Sequence, residues 1–135
     1  MPSRVLLVED NPDDELLTLR ALKRAQVPLD VQIARDGAEA LHALGLNGAT
    51  GTNPALPALV LLDIKLPKVS GIDVLRAIRR SPETEGLPVV MLTSSDEPSD
   101  VLSASLLNVS RYVRKAVDYT EFMTTMDRVV SDFLS

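Results

Sequence analysis

The chain has 135 residues, 45% hydrophobic and 24% charged, with no cysteine and a formal net charge of −5. These values fit one soluble domain with a real core, built mainly from aliphatic side chains because aromatics are only 3%. They exclude disulfides and thiolate metal sites, and the acidic balance argues against a nucleic-acid-binding face. No apolar run is long enough to span a membrane, and no signal peptide precedes the first one, so a cytoplasmic, reducing location is expected.

The first apolar run, Val5-Leu6-Leu7-Val8, reads as a strand over 4–8 that stops at Glu9 and Asp10. Asn11 suits a helix N-cap and Pro12 the first helical position. Asp13, Asp14 and Glu15 fall in the first turn, where the helix dipole favours anions. Leu16, Leu19 and Leu22 continue the helical stripe, and Pro28 ends the segment. A second strand over 31–34 leads to a helix from about Gly37 to Leu44. That helix carries His42, the sole histidine. A phosphohistidine or metal role needs partners that are absent around it, so His42 reads as a plain helix residue. The stretch 45–57 holds Gly45, Gly48, Gly51, Pro54 and Pro57 and has neither period. It reads as a long surface loop on the amino edge of the sheet, opposite Asp63, with a recognition role as the alternative.

Leu59-Val60-Leu61-Leu62 gives a strand over 58–62 that stops at Asp63. A third helix begins near Ser70-Gly71 and carries Ile72, Leu75 and Ile78. Arg79-Arg80 near its end would complement its carboxyl-terminal dipole rather than bind nucleic acid. A strand over 88–92 ends at Thr93-Ser94. The fourth helix follows Pro98-Ser99-Asp100 and carries Val101, Leu102, Ser105 and Leu106. Tyr112-Val113-Arg114 lies in a strand over 111–114 that stops at Lys115. The last helix, 118–134, bears Tyr119, Phe122, Met123, Met126, Val129, Val130, Phe133 and Leu134. These span roughly 140° of its surface, against the ~100° a core face needs. The stripe is a wide core face, or one whose edge also serves a partner.

Strand and helix alternate five times. Short apolar runs between helical patterns read as buried parallel strands joined by right-handed crossovers. The expected fold is α/β: a flavodoxin-like, doubly wound, five-stranded parallel sheet of order 2-1-3-4-5 with five helices. Parallel strands all end on one edge. Glu9, Asp10, Asp63, Thr93 and Lys115 should therefore meet there, with the crevice opening between strands 1 and 3. Carboxylates, a hydroxyl and an ammonium together suit a divalent cation and a phosphoryl group.

The ordered segments Leu7-Val8-Glu9-Asp10-Asn11, Leu62-Asp63-Ile64-Lys65-Leu66-Pro67-Lys68-Val69-Ser70-Gly71, Leu92-Thr93-Ser94-Ser95 and Tyr112-Val113-Arg114-Lys115 resemble the receiver domain of two-component response regulators. The resemblance covers essentially the whole chain, which reads as one receiver domain over 1–135 with no output domain. Softer features resemble stand-alone regulators paired with bacterial phytochrome kinases. The resemblance implies that the protein is not an enzyme but takes a phosphoryl group from a sensor histidine kinase onto Asp63. It implies Mg²⁺ held by Asp10 and Asp63, by Glu9 through water, and by the backbone carbonyl of Lys65. Lys115 would meet one phosphoryl oxygen and the Thr93 hydroxyl another. Thr93 and Tyr112 would then switch the surface of the fourth helix, fifth strand and fifth helix, reported by Val101, Leu102 and Tyr112. That surface could also form a homodimer or meet a downstream protein or phosphotransfer partner.

Two positions depart from the family. Ala116 stands where a proline in a cis bond usually follows the lysine, which leaves the geometry of that peptide open. Lys65 has donors but no acceptor, so it cannot take a proton from an attacking water, and slow self-hydrolysis is expected. Two other readings fit the residues less well. A haloacid-dehalogenase-type phosphatase needs a second aspartate two residues after the first, where Lys65 stands, and room for a cap domain. A pseudo-receiver, a protein-binding module without phosphorylation, is opposed by the retained Glu9, Asp10, Asp63, Thr93 and Lys115.

Overall fold

The computed structural model describes residues 2–46, 55–95, 97–115 and 118–134. Its elements follow the expected alternation: β1 Ser3–Val8, α1 Pro12–Lys23, β2 Leu29–Ala34, α2 Gly37–Ala43, β3 Leu59–Leu62, α3 Gly71–Arg80, β4 Val89–Thr93, α4 Pro98–Leu106, β5 Arg111–Arg114 and α5 Tyr119–Leu134. All neighbouring strands are parallel, in the order β2-β1-β3-β4-β5. The three central strands are buried on both faces, which is why they read as unbroken apolar runs. Side-chain alternation divides them between two cores. Val5, Leu7, Leu59, Leu61, Val90 and Leu92 pack toward α1 and α5. Leu6, Val8, Val60, Leu62, Val89 and Met91 pack toward α2, α3 and α4. Among the described residues no helix is long and apolar enough to cross a membrane.

Helix signals set the angles at which the chain leaves the sheet. Asn11 caps α1, its Oδ1 accepting from the Asp13 and Asp14 N–H groups at 2.9 and 3.1 Å. Asp36 and Ser70 cap α2 and α3 in the same way. Gly45, at φ 71°, closes α2 where a left-handed residue is needed.

Some details sharpen or differ from the sequence reading. Helix α1 stops at Lys23, and Pro28 instead leads into β2, which begins at Leu29; the Pro28 carbonyl accepts from Ser3 N–H. The buried face of α1 is Thr18, Ala21 and Leu22, whereas Leu16 is 51% exposed. On α4 only Ala104 is buried; Val101 and Leu102, expected to report on an output surface, are exposed, and so is Leu106. Tyr119 likewise leaves the α5 core stripe. Arg79 serves a different helix terminus from the one expected. Its guanidinium donates to Leu107 O and Asn108 O at the end of α4, and to Glu85 O and Leu87 O after α3. The middle of the loop over 45–57 and the Lys115–Ala116 peptide lie outside the described residues. Ala55 and Pro57 line a small recess with Arg4 at the amino edge, where the loop was expected.

Candidate phosphoacceptor and cation site

The sheet order brings the ends of β1, β3, β4 and β5 to one edge. Glu9 follows β1 and is nearly sealed, at 1% exposure, while Asp10 beside it is exposed. Asp63 follows β3 and is held to β1 by its N–H on Val8 O at 3.2 Å. Carboxylate oxygens of Glu9, Asp10 and Asp63 all lie within 4.8 Å of one another. Lys115 is drawn in from β5 by its N–H on Thr93 O at 2.8 Å. Its ammonium donates to Asp63 Oδ2 at 2.9 Å, to Asp14 Oδ2 at 2.9 Å and, closest of all, to Glu9 Oε1.

The electrostatics follow from that packing. Burial pushes the Glu9 carboxyl up to about 7, although the Lys115 hydrogen bond pulls the other way. Burial acts against the charge on Lys115, but its hydrogen bonds to Glu9, Asp63 and Asp14 prevail and hold the ammonium above its usual range. The donor set fits a hard divalent cation: three oxygen carboxylates converge, with no nitrogen or sulfur ligand among them. One carboxylate is exposed, so a bound ion could keep water ligands.

Asp63 is framed by close backbone packing. Gly71 opens α3 directly against Asp63: a Cβ there would lie 1.9 Å from Asp63 O, and its N–H bonds Ile64 O at 2.8 Å. Lys65 stands beside Asp63, with its N–H 3.4 Å from Asp63 Oδ1, while its ammonium reaches out to Asp100 and Glu97 at 3.7 and 3.8 Å. A cleft of about 530 Å³ opens there, lined by Asp10, Lys65, Ser70, Ser99, Asp100 and Ser103.

Thr93 is fully buried, and its hydroxyl oxygen accepts from Ser95 N–H at 3.2 Å. Tyr112 is half-buried and donates its hydroxyl to Ser95 O at 2.7 Å, while Ser95 Oγ bonds Asp100 at 2.6 Å. Two residues therefore join the site that sequence reasoning missed. Asp14 was read only as a first-turn anion, yet its helix starts at the edge where the acids gather. Ser95 follows Thr93 by two positions and links β4, Tyr112 and the first turn of α4.

A family model described as the response regulator receiver domain matches residues 5–127. The response regulator Rcp1 of Synechocystis sp. is 34% identical over 133 residues, which is 98% of this chain and 90% of Rcp1. The crystal structure of its Mn(2+)-bound form matches with a TM-score of 0.89, over 99% of this chain and 96% of that one. The phosphorylated cyanobacterial phytochrome response regulator RcpA matches with a TM-score of 0.90 and 33% identity, over 100% of this chain and 96% of that one. FilR2, a probable methanogenesis regulatory protein of Methanothrix harundinacea, is 37% identical over 128 residues, which is 95% of this chain and 81% of FilR2.

Proposed function

This chain belongs to the response regulator receiver family, and from that premise we propose that Asp63 accepts a phosphoryl group from a sensor histidine kinase in a Mg²⁺-dependent reaction. The protein is a signalling module of the two-component kind rather than an enzyme. The observation that carries the proposal is the convergence of Glu9, Asp10 and Asp63 within 4.8 Å, with Lys115 2.9 Å from Asp63. An Asp63 oxygen attacks phosphorus, the P–N bond to the kinase histidine breaks, and an aspartyl phosphate forms. Asp10 and Asp63 would hold Mg²⁺ directly, Glu9 through water, and the Lys65 carbonyl would complete the set. The ion supplies charge neutralisation between an anionic nucleophile and an anionic phosphoryl group. Lys115 places its ammonium on one phosphoryl oxygen, and the Thr93 hydroxyl turns from Ser95 to another.

The output surface is α4-β5-α5. Exposed Val101, Leu102 and Leu106 and the Tyr112–Ser95 hydrogen bond support this reading. When the Thr93 hydroxyl leaves Ser95, the β4–α4 connection and Tyr112 lose a shared anchor, and the population of α4 positions changes. A homodimer or a downstream protein would form on that surface, and molar mass measured with and without phosphodonor distinguishes these. Lys65, a donor drawn toward α4, gives attacking water no base, so the phosphorylated form decays slowly. The kinase is of the phytochrome type, by the likeness to the phytochrome response regulator RcpA.

The test is treatment with a small phosphodonor and Mg²⁺. A mass gain of one phosphoryl group is expected, and it disappears in Asp63→Asn. No gain, or a gain that survives the substitution, would leave a protein-binding module without phosphorylation.

A further inference from the structure

We infer that Asp14 is a positioning residue for phosphoryl transfer, holding the Lys115 ammonium over Asp63 once a cation has claimed the other carboxylates. The inference rests on the phosphoacceptor role of Asp63 proposed above. An ammonium has three N–H donors. Here the three acceptors are Glu9, Asp63 and Asp14. Glu9 and Asp63 belong to the trio whose oxygens converge as a cation site; Asp14 does not.

A divalent ion in that trio draws on two of the three carboxylates that now hold Lys115, and its charge repels the ammonium. Asp14 is then the neighbour that pulls Lys115 back over the acceptor. Its position suits the task. Asn11 and Pro12 fix the first turn of α1, so the carboxylate projects from a capped helix end rather than from a loop. Arg35, another cation near this end of α1, is engaged by Glu15. Asp14 is 35% exposed at its side chain against 9% for Lys115, so it forms the outer wall of the lysine's pocket. A lysine without that wall points its freed donor toward water instead of toward the incoming phosphoryl oxygen.

The experiment follows modification of the full chain by acetyl phosphate with Mg²⁺, read by mass, for parent, Asp14→Ala, Asp14→Asn, Lys115→Ala and the double variant Asp14→Ala/Lys115→Ala. Loss of one charge-assisted hydrogen bond predicts a rate about ten-fold lower for Asp14→Ala and about three-fold lower for Asp14→Asn, which keeps an oxygen acceptor in place. Because Asp14 acts through Lys115, adding Asp14→Ala to Lys115→Ala should slow the reaction by less than about two-fold. Circular dichroism confirms that each variant is folded, and Asp14→Asn serves if the alanine variant is not. An unchanged or faster rate in Asp14→Asn overturns the inference, as does a full ten-fold loss on the Lys115→Ala background. Failure of the parent to gain mass at Asp63 overturns the phosphoacceptor reading itself, and the inference with it.

Discussion

Two cations stand at opposite edges of the sheet, and they are held by different chemistry. Lys115, at the carboxyl edge, is ringed by the carboxylates of Glu9, Asp14 and Asp63. Arg79, at the amino edge, is ringed by backbone carbonyls: Leu107 and Leu87 at 2.9 and 2.7 Å, Glu85 and Asn108 at 3.0 Å each. Carbonyls carry no net charge and cannot leave the backbone, so the arginine cluster has one arrangement. It staples the end of α4 to the loop after α3. Carboxylates carry charge that a second cation or a phosphoryl group can redistribute. The lysine cluster is therefore a set of contacts built to be exchanged, and the arginine cluster a frame that lets one edge rearrange while the other holds.

Replacing each cation tests that contrast. Lys115→Ala should have the largest effect. Phosphodonor modification should slow by about a hundred-fold, the usual cost of losing one preorganised donor. In chelator, three close carboxylates left without their cation should cost about 3 kcal/mol of stability in urea unfolding. Millimolar Mg²⁺ should restore most of that stability, because it supplies positive charge, but not the rate. Arg79→Ala should cost about 2–3 kcal/mol by removing a charged donor from several carbonyls. Mg²⁺ should not restore it, and the rate per folded molecule should stay at the parent value. Arg79→Lys should recover less than half, since an ammonium lacks the guanidinium fork. Rescue of Arg79→Ala by Mg²⁺, or none for Lys115→Ala, breaks the comparison.

Gly71 tests whether the carboxyl edge also has a rigid part. A Cβ at 1.9 Å from Asp63 O cannot be accommodated without moving the backbone. Gly71→Ala should cost about 2 kcal/mol, an overpacking penalty. It should also slow modification, because the atom displaced belongs to Asp63. A variant of parent stability and rate would show that the loop yields freely.

The same contrast explains what the sequence could reveal. Strand order and the meeting of Glu9, Asp10, Asp63 and Lys115 were legible because buried parallel strands leave continuous apolar runs, and the polar residues that end them mark the edge. Two contacts were not legible. Arg79 reaches residues up to 29 positions away, and Asp14 bonds a lysine 101 positions away. Neither contact leaves a period in the chain, since a long side chain can bend toward any neighbour the fold supplies. Helix α4 was legible only through the resemblance, which put Val101 and Leu102 on a reporting surface: with Leu106 they are apolar and exposed, and apolarity alone does not separate surface from interior. Thr18, buried on α1 while Leu16 is exposed, makes the same point at one residue.

Glu9 gives the smallest effect and a definite sign. Burial pushes its carboxyl up to about 7, against the ordinary 4.5. Between those values the folded chain binds more protons than the unfolded chain, so this group's contribution is complete below about pH 4.5 and is lost as pH rises through about 7. In chelator, the Glu9 part of the stability should fall from about pH 5 to about pH 8, and Glu9→Gln should flatten the urea-midpoint profile over that range. A divalent cation takes the ionised carboxylate, so Mg²⁺ should raise the midpoint more at about pH 8 than at about pH 5. Arg79→Ala should lower the whole profile without changing its slope, because none of the acceptors it leaves behind titrates. A Glu9→Gln profile parallel to the parent's would remove Glu9 from the exchangeable set and leave the lysine cluster as fixed as the arginine one.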